Sequence, residues 1–311
     1  MKGKSKIKVY LSGGLGNQLF QASAARKLVF PEEIFLLPNL GEAIKGPDNS
    51  PEILDFNLEE LAIQIDQREF TSLQIYLAKR ILMLSSVAPR NVTKNLLANI
   101  LKKIIEIILG NLIGEQIQSP KGVGFDNKFQ LKPNTTLLIG NFHSYHWVDD
   151  IFRGQLRLKR TRSNSYMDLE LKAKFEAPIG IHIRLGDYLL IDELNALNAR
   201  YYLNALENCR KQLTSRTFWI FTNDSTRLSQ YLPSDLISGA KIVDSDLSSS
   251  ETLELMRNCQ ALITANSTFS WWGAYLKYRI EGPVFTPTRW FRTRANPTEI
   301  IPESWIRIEN G

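Results

Sequence analysis

Short apolar runs alternate with amphipathic stretches along most of this chain. The apolar runs predict buried strands, and the stretches with apolar residues every three or four positions predict helices. This alternation favours an α/β fold, in which parallel sheets are covered by helices on both faces. The predicted strands are 7–11, 34–37, 136–140, 179–183, 217–222, 241–244, 261–264 and 283–286, and the clearest helices are 17–28, 199–213, 249–258 and 269–277.

The polar, charged stretch 153–176 separates two such runs of alternating elements. We therefore expect two Rossmann-like domains, residues 1–152 and residues 177–311, joined by this stretch. A chain of 311 residues is long enough for two domains that each bury a core.

Residues 71–118 differ in character, because Leu and Ile recur there at helical spacing among Lys and Arg, with few acidic residues. This pattern predicts a helical insertion packed on the N-terminal domain. A second interpretation is a basic amphipathic surface that rests on an anionic membrane or receives a lipid-linked acceptor. The apolar run is interrupted by Glu106 and is too short to span a bilayer.

The strand 179–183 ends in a cluster of polar residues. Side chains alternate along a strand, so His182 and Arg184 point to the same face. Asp187 and Tyr188 follow after a Gly turn. The planar guanidinium of Arg grips phosphate oxygens at two points, so the cluster suits an anionic leaving group. A structural ion pair between Arg184 and Asp187 is the alternative.

Two further segments place a polar turn between a predicted strand and a predicted helix. Ser12–Gln18 is rich in Gly, and Asn266–Ser270 is rich in hydroxyl and amide groups. Free backbone N–H groups at a helix N-terminus favour an anion or a sugar nucleotide. Helix capping alone is the alternative for Asn266–Ser270.

Together these segments resemble the GDP-fucose-dependent α-1,2-fucosyltransferases of glycosyltransferase family 11. Their motifs occur in the family's order over roughly residues 7–290, and only residues 60–125 show none of them. The main motifs are 13–21, 182–188 and 266–276, with weaker similarity at 140–144, 221–224 and 253–259. The chain departs from the family at Leu185, where a second Arg is usual, and at Gly140–Ser144, where the family has Gly-Tyr-Phe-Gln-Ser.

The resemblance implies the GT-B architecture, two Rossmann-like domains facing across a cleft. It also implies an inverting, metal-independent transfer of L-fucose from GDP-β-L-fucose to the 2-hydroxyl of a terminal β-galactoside glycan. The C-terminal domain would bind GDP-fucose, and the N-terminal domain would form the acceptor side. Bacterial polysaccharide biosynthesis is the expected setting. No cofactor is expected, and the oligomeric state is open.

Arg184 is the candidate that stabilises charge developing on the diphosphate. Asp187 is the candidate general base, although it could equally orient Arg184 or bind donor hydroxyls, and a dissociative reaction needs no strong base. Gln18 and Tyr188 are candidate acceptor contacts. The candidate donor-binding residues are His182, Arg184, Gly14, Gly16, Asn17, Asn223, Asp224, Asn266, Ser267, Thr268 and Ser270.

Other functions are weighed against this one. Because Leu185 stands where a cation is expected beside the diphosphate, the chain could instead be a non-catalytic relative that binds a sugar nucleotide or glycan. A transferase of another nucleotide sugar is also open. A dinucleotide site is disfavoured, since Leu19 replaces the third small residue of that fingerprint. Asp244 and Asp246 could form a metal-binding Asp-x-Asp, but a loop before a capping box at Ser248–Glu251 explains them better.

Composition limits the partners. The net charge of +6 and the pI of about 9.2 suit an anionic partner, but Lys and Arg are spread along the chain without interleaved aromatics, so nucleic acid is not expected. Cys209 and Cys259 are predicted to be reduced core thiols, and the three His match no metal-ligand spacing. Only a short strand, and no long apolar segment, follows the basic first residues, which predicts a cytoplasmic protein, at most peripheral to the inner face of the membrane.

Overall fold

The computed structural model divides into two compact units, each with its own parallel sheet. The first unit is Met1–Lys159 with Pro297–Ile300, and the second is Arg160–Asn296 with Ile301–Gly311. The predicted α/β class with two Rossmann-like halves is confirmed. The structure describes residues 6–29, 33–46, 49–86, 92–159, 163–243 and 247–310.

The first unit has a five-stranded sheet of order β3-β2-β1-β5-β4, in which every neighbouring pair is parallel. β1 lies at its centre, and Val9 and Leu11 are fully buried, as expected when helices cover both faces of a parallel sheet. The elements are β1 (Lys6–Tyr10), α1 (Leu15–Val29), β2 (Glu33–Leu37), α2 (Pro38–Gly41), β3 (Ile63–Ile65), α3 (Ser72–Ser86), α4 (Val92–Ile113), β4 (Ile117–Gln118), β5 (Leu137–Leu138) and α5 (Ile151–Gln155).

The second unit has a six-stranded parallel sheet of order β11-β10-β9-β6-β7-β8. The chain starts at β6, moves outward through β7 and β8, and then returns to β9 on the other side of β6. This order has a topological switch point between β6 and β9. The elements are α6 (Asn164–Glu176), β6 (Ile179–Ile183), α7 (Asp187–Leu190), α8 (Ala199–Gln212), β7 (Phe218–Thr222), α9 (Ser234–Gly239), β8 (Lys241–Val243), α10 (Ser249–Arg257), β9 (Ala261–Ile263), α11 (Thr268–Tyr275), β10 (Val284–Pro287) and β11 (Ile306–Ile308).

The predicted strands and helices occur close to their expected bounds, whereas β3, β4, β11, α6 and the short helices α2, α5, α7 and α9 were not predicted. The three missed strands have only two or three residues, too few to show a period. The stretch 153–176, expected to join the domains, holds the end of α5 and then α6. Ser163 Oγ caps α6 by accepting from Tyr166 N at 3.1 Å. The side chains of Tyr166 and Ala173 are buried, so α6 packs with one face on the second unit and belongs to it.

The predicted helical insertion in residues 71–118 is confirmed as α3 and α4, which pack on each other and on the first sheet. Ala78 and Ile81 of α3 and Ile105 and Leu109 of α4 share a buried cluster with Leu137 of β5. Burial of these side chains is what attaches the pair to the sheet. Among the described residues, no helix is long and apolar enough to cross a membrane.

A buried ionic network ties α10 to the end of α11. Arg257 is fully buried, and its Nη1 lies 2.8 Å from Glu254 Oε2. Its Nε donates to the carbonyl oxygen of Leu276 at 3.1 Å, and its guanidinium lies 4.4 Å from the ring centre of Tyr278. Tyr278 donates its hydroxyl hydrogen bond to Glu254. Each charge in this network is paired, which is the condition for burying it.

Arg257→Met should lower the free energy of unfolding by about 3–5 kcal/mol, because Glu254 would be left as an uncompensated buried charge. Urea denaturation followed by circular dichroism measures the loss, with Arg210→Met, an exposed arginine of α8, as the matched control. The double variant Arg257→Met/Glu254→Gln should recover part of the stability. A single variant as stable as the control would contradict the role of the network.

Candidate functional site

Three loops of the second unit leave its sheet at the carboxyl edge, beside the switch point. They follow β6, β7 and β9, and the strands pair in parallel with Ile183 opposite Thr222 and Ile181 opposite Ile263. Parallel strands present their carboxyl ends at one edge, and ligands of such sheets bind at the switch point there. The register therefore brings the segments that begin at Arg184, Asn223 and Thr264 to one place.

His182, the penultimate residue of β6, is 5% exposed. Its Nδ1 has no hydrogen-bond partner among the described residues, and its ring centre lies 5.7 Å from that of Phe269 in α11. Burial, and secondarily the positive charge of Arg184, lowers the pKa of His182 to about 3. The imidazole is therefore neutral at physiological pH, and its Nδ1 is a buried nitrogen without a partner among the described residues.

Arg184 leaves the carboxyl end of β6 and is half-buried. Its guanidinium carbon lies 5.4 Å from the ring centre of Tyr188, in the geometry of a cation–π contact. A guanidinium stays charged at any working pH, so Arg184 brings a fixed cation to this edge of the sheet. Asp187 begins α7, but its side chain lies outside the described part of the structure, so its role as a base stays a prediction.

Leu185, next to Arg184, is a core residue that also lines the pocket beside Arg184. Its side chain is 1% exposed and belongs to the core cluster that contains Ile183 and Tyr202. The position where the family usually has a second Arg is therefore a core position in this chain, and an apolar residue here adds to the core.

Asn223 was predicted to bind the donor, and the structure shows its side chain holding the loop after β6. Its Oδ1 accepts from Leu185 N at 2.8 Å, and its Nδ2 donates to the carbonyl oxygen of Leu185 at 3.3 Å. Gly186 has φ of 60°, and a Cβ there would lie 2.7 Å from Asn223 Nδ2. Glycine is therefore required at position 186, because the positive φ disfavours other residues and a side chain there would collide with Asn223.

Asp224 also shapes its own loop. Its Oδ1 accepts from Thr226 N at 3.1 Å, which caps the short helical turn Ser225–Gln230, and its Oδ2 lies 3.2 Å from Arg227 Nε. Among the interactions of the described residues, these account for both carboxylate oxygens. Like Asn223, Asp224 supports the architecture of the carboxyl edge.

The segment after β9 combines support with open backbone donors. Asn266 is buried, and its Nδ2 donates to the carbonyl oxygens of Leu194 at 2.9 Å and Trp290 at 2.8 Å. Ser267 Oγ accepts from Phe269 N at 3.3 Å and caps α11. Ser270 is fully buried and donates to the carbonyl oxygens of Ala265 and Ser267, so the capping alternative describes Ser267, and Ser270 holds the turn before the helix. Thr268, at the first position of α11, is half-buried.

The loops after β6 and β9 line one pocket of the second unit. Arg184 and Asn266 contribute from these loops, and the segment between α7 and α8 closes it from the side. The volume of this pocket is only about 10 Å³. The positive end of the α11 dipole and the Arg184 cation therefore mark an edge of the sheet that suits an anion, and they do not enclose a cavity large enough for one. Its polar lining residues are Arg184, Tyr188, Asn195, Tyr202, Tyr231 and Asn266.

The Gly-rich loop of the first unit was predicted to contact the donor, but its helix N-terminus already has a carboxylate. Leu15 N, at the start of α1, donates to Glu52 Oε2 at 2.7 Å. A second anion at this terminus would be repelled, whereas the hydroxyl groups of a neutral sugar would not. Gly14 and Asn17 are half-buried there, and Gly16 is buried. Sequence reasoning missed Glu52, which lies far along the chain from the loop.

Gln18 was predicted to contact the acceptor, and the structure gives it a supporting role instead. It is fully buried; its Nε2 donates to the carbonyl oxygens of Gly13 at 2.8 Å and Ile44 at 2.9 Å, and its Oε1 accepts from Ile53 N at 3.0 Å. The Gln18 amide therefore joins the Gly-rich loop to two neighbouring segments.

No group of three or more His, Cys, Asp or Glu within the described ranges is arranged to hold a metal ion. Residues 244–246, the alternative metal-binding motif, lie outside those ranges. The capping box that follows them is confirmed, since Ser248 Oγ accepts from Glu251 N at 3.2 Å and the Glu251 carboxylate accepts from Ser248 N at 3.1 Å. Cys209 and Cys259 are buried free thiols.

Comparison with known proteins gives a family match and two curated relatives. The profile of glycosyl transferase family 11 matches residues 83–308, more than half of the chain. An alpha-1,2-colitosyltransferase of Escherichia coli is 32% identical over 138 residues, which covers 42% of this chain and 47% of that relative. The O-antigen biosynthesis glycosyltransferase WbnK of Escherichia coli is 25% identical over 330 aligned positions, which covers 96% of this chain and 99% of that relative.

Similar solved structures include two bacterial transferases. The fucosyltransferase NodZ from Bradyrhizobium has a TM-score of 0.49 at 12% identity, covering 88% of this chain and 94% of its own. The ADP-heptose lipopolysaccharide heptosyltransferase II of Escherichia coli has a TM-score of 0.45 at 12% identity, covering 98% and 90%.

The buried neutral state of His182 should make the protein less stable in acid. Its pKa is about 3 in the folded chain, against 6.5 for a histidine exposed to water, so the folded chain binds fewer protons than the unfolded chain. Stability is therefore lost as the pH falls below about 6.5. His182 should contribute a loss of about 2 kcal/mol between pH 7 and pH 5.

Urea unfolding at both pH values tests this. The wild type should lose about 2 kcal/mol more than His182→Gln on acidification. The variant Ser270→Ala, a buried substitution that removes no titrating group, should lose as much as the wild type. Equal losses for the wild type and His182→Gln would show that His182 is not held neutral.

Proposed function

This chain belongs to glycosyltransferase family 11 and is a glycosyltransferase, and from that membership we propose that it transfers L-fucose from GDP-β-L-fucose to the 2-hydroxyl of a terminal β-galactoside. We propose further that the anomeric centre is inverted and that no metal ion takes part. The observation that carries the proposal is the convergence of Arg184, His182 and the N-terminus of α11 at the switch point of the second sheet.

Arg184 stabilises the leaving group in this proposal. As the bond between the fucose anomeric carbon and the diphosphate breaks, negative charge grows on GDP. A fixed guanidinium next to the positive end of α11 favours that charge, and both are in place before the reaction. Since His182 is buried and stays neutral, it supports this edge of the sheet without adding a second positive charge beside Arg184.

Inversion requires a single displacement at the anomeric carbon. The acceptor hydroxyl oxygen forms the new bond as the phosphate oxygen leaves, and the hydroxyl proton passes to a base. Asp187, three residues after Arg184, is the proposed base. Its place at the start of α7 puts it at the same sheet edge as Arg184, which supports the assignment.

The Gly-rich loop of the first unit is proposed to bind a neutral sugar. The Glu52 carboxylate at the N-terminus of α1 disfavours a diphosphate there, and it can accept hydrogen bonds from sugar hydroxyls. Gly14 and Asn17 are the accessible parts of this loop, whereas Gln18 supports it from within. Tyr188, beside Arg184, stays the proposed acceptor contact of the second unit.

A second donor is favoured by one of the relatives. The colitosyltransferase shares the α-1,2 linkage in its name, which supports the proposed linkage, but its sugar is colitose. Colitose is a fucose that lacks the 3-hydroxyl, so both are 6-deoxy-L-sugars. A donor comparison between GDP-fucose and GDP-colitose separates the two candidates by the ratio of kcat/KM.

Arg184→Ala should reduce kcat by about 10²–10³, because a charge-assisted contact to the leaving group is lost. The measurement is GDP release from GDP-fucose with and without lactose, in the presence of EDTA. Arg210→Ala, on the far end of α8, is the matched control and should keep wild-type turnover. Product analysis by NMR reports the linkage and the anomeric configuration.

Three results would contradict parts of this proposal. Loss of all turnover in EDTA, restored by a divalent cation, would end the metal-independent mechanism. Arg184→Ala with wild-type kcat would remove Arg184 from the chemistry. GDP-fucose binding without release in the presence of any β-galactoside would favour the non-catalytic relative.

A lipid bilayer is the second proposed partner, through the outer surface of α4. Lys102 and Glu106 of this helix are buried, whereas eight of its aliphatic side chains are exposed. A continuous exposed apolar surface of this kind marks an interaction site. We name it the aliphatic face of α4, and it consists of Leu96, Leu97, Ile100, Leu101, Ile104, Ile107, Ile108 and Leu112.

The neighbouring charges favour an anionic bilayer over a second copy of the chain. Lys103 lies at the border of the aliphatic face, and Lys121, Lys128 and Lys132 lie exposed on the loop that follows β4. Two copies joined through this face would bring the same lysines together, whereas anionic headgroups complement them.

Ile104→Ser/Ile108→Ser should weaken binding to vesicles of phosphatidylcholine and phosphatidylglycerol by at least about tenfold, because both side chains would enter the interface. Sedimentation with the vesicles measures binding. The matched control is Leu171→Ser/Phe175→Ser, which removes exposed apolar side chains from α6. Equal binding by both variants, or a wild-type dimer in solution that Ile104→Ser/Ile108→Ser dissociates, would overturn the membrane assignment.

A further inference from the structure

A pocket of about 470 Å³ lies in the first unit, beside α4 and apart from every motif of the sequence. Lys102 of α4 forms one wall, Gln118 and Ser119 at the end of β4 form another, and the loop 121–133 closes it. Four lysines and a single acidic residue line it. The charged lining residues are Lys102, Lys121, Asp126, Lys128 and Lys132.

Lys102 is a buried ammonium group with weak partners. It is 7% exposed, its Nζ lies 3.4 Å from the carbonyl oxygen of Ser119, and the nearest carboxylate oxygen, Glu106 Oε1, is 4.0 Å away. That oxygen already accepts from Ser119 Oγ at 2.5 Å, and the other oxygen of Glu106 pairs with Lys103 at 2.9 Å. Burial is the main reason that the pKa of Lys102 is lowered. A buried cation is costly unless it is paired, and Glu106 pairs with Lys102 only weakly, so an anionic ligand would complete the pairing.

The loop side of the pocket has the same excess of charge. Within the described residues, the ammonium groups of Lys121, Lys128 and Lys132 have no ion pair. Asp126 does not neutralise them closely, since its carboxylate oxygens accept from the backbone N–H groups of Lys121 at 2.9 Å and Lys128 at 3.1 Å. Asp126 therefore stabilises the backbone of the loop, and the lysine ammonium groups can bind a ligand.

The pocket is preorganised by Gln118. Its Nε2 donates to the carbonyl oxygen of Gln130 at 2.6 Å, and its Oε1 accepts from Lys132 N at 3.0 Å and from Thr135 Oγ1 at 2.8 Å. One amide thus fixes the loop that carries Lys128 and Lys132 against β4. The fold therefore sets the backbone positions from which Lys128 and Lys132 extend towards the pocket.

We propose that this lysine pocket binds a phosphate or diphosphate group. Several ammonium donors around one cavity match an anion with several oxygens, and the partly apolar rim of Phe129 and Leu131 admits an organic substituent. The aliphatic face of α4 belongs to the same helix as Lys102, which favours a phosphate carried by a lipid. The phosphate site stands independently of the proposed transfer reaction, and only its lipid source rests on the proposed membrane contact.

The first arm of the experiment uses soluble ligands. Inorganic pyrophosphate should bind the full chain in titration calorimetry in the presence of saturating GDP, which occupies the proposed donor site. Lys102→Met should weaken this binding by about 10- to 100-fold, as expected for one charge-assisted contact. Lys128→Met/Lys132→Met should do so as well. Lys211→Met, an exposed lysine paired with Glu207 on α8, should bind as the wild type does.

The second arm identifies the source of the phosphate. Vesicles of phosphatidylcholine with phosphatidic acid should bind the wild type more tightly than Lys102→Met if a lipid phosphate enters the pocket. Equal vesicle binding, together with lysine-dependent pyrophosphate binding, would assign a soluble phosphate compound. Absence of pyrophosphate binding, or binding unchanged in both lysine variants, would overturn the site, and transfer activity measured on the same samples reports separately on the proposed reaction.

Discussion

The parallel pairing of β6 with β9 on one side and β7 on the other is the constraint on which the candidate donor site depends. This pairing places the carboxyl ends of three strands at one edge of the sheet. A loop follows each strand, and the first residues of that loop must lie close to the end of the strand. Arg184 and Leu185 both line the pocket at this edge, and burial of the Leu185 side chain in the core fixes the backbone from which Arg184 extends. The position of the cation thus depends on the packing of its neighbour.

Side-chain amides then fix these loops. Asn223, Asn266 and Gln18 each bind backbone groups of segments distant in sequence. An amide can donate and accept at once, so it can satisfy a loop's backbone groups where no strand partner exists. Asn and Gln residues in such motifs are therefore easily interpreted from the sequence as ligand contacts, although in the structure they stabilise the loops of the candidate site.

The sequence predicted the parts that rest on local periodicity and on motif order. The buried strands β1, β6 and β7 and the amphipathic α8 and α10 were found, because a period extends over each of them. Glu52 at the N-terminus of α1 and the lysine pocket were not found, because their members meet only through the fold. The burial of Lys102 was not predicted either, because a lysine among leucines and isoleucines is normally expected to be exposed to solvent.

Two buried nitrogen bases in this chain respond to burial in different ways, and the difference indicates what each needs. A histidine in water has a pKa of 6.5, close to physiological pH. His182 can therefore lose its proton on burial, which avoids the cost of desolvating a charge and leaves a neutral hydrogen-bonding group. Burial lowers the pKa of Lys102 below the 10.5 of a lysine in water, and the neighbouring Glu106 carboxylate opposes that shift. This carboxylate is 4.0 Å away and already binds Ser119 and Lys103, so a bound anion would complete the pairing of the buried ammonium group.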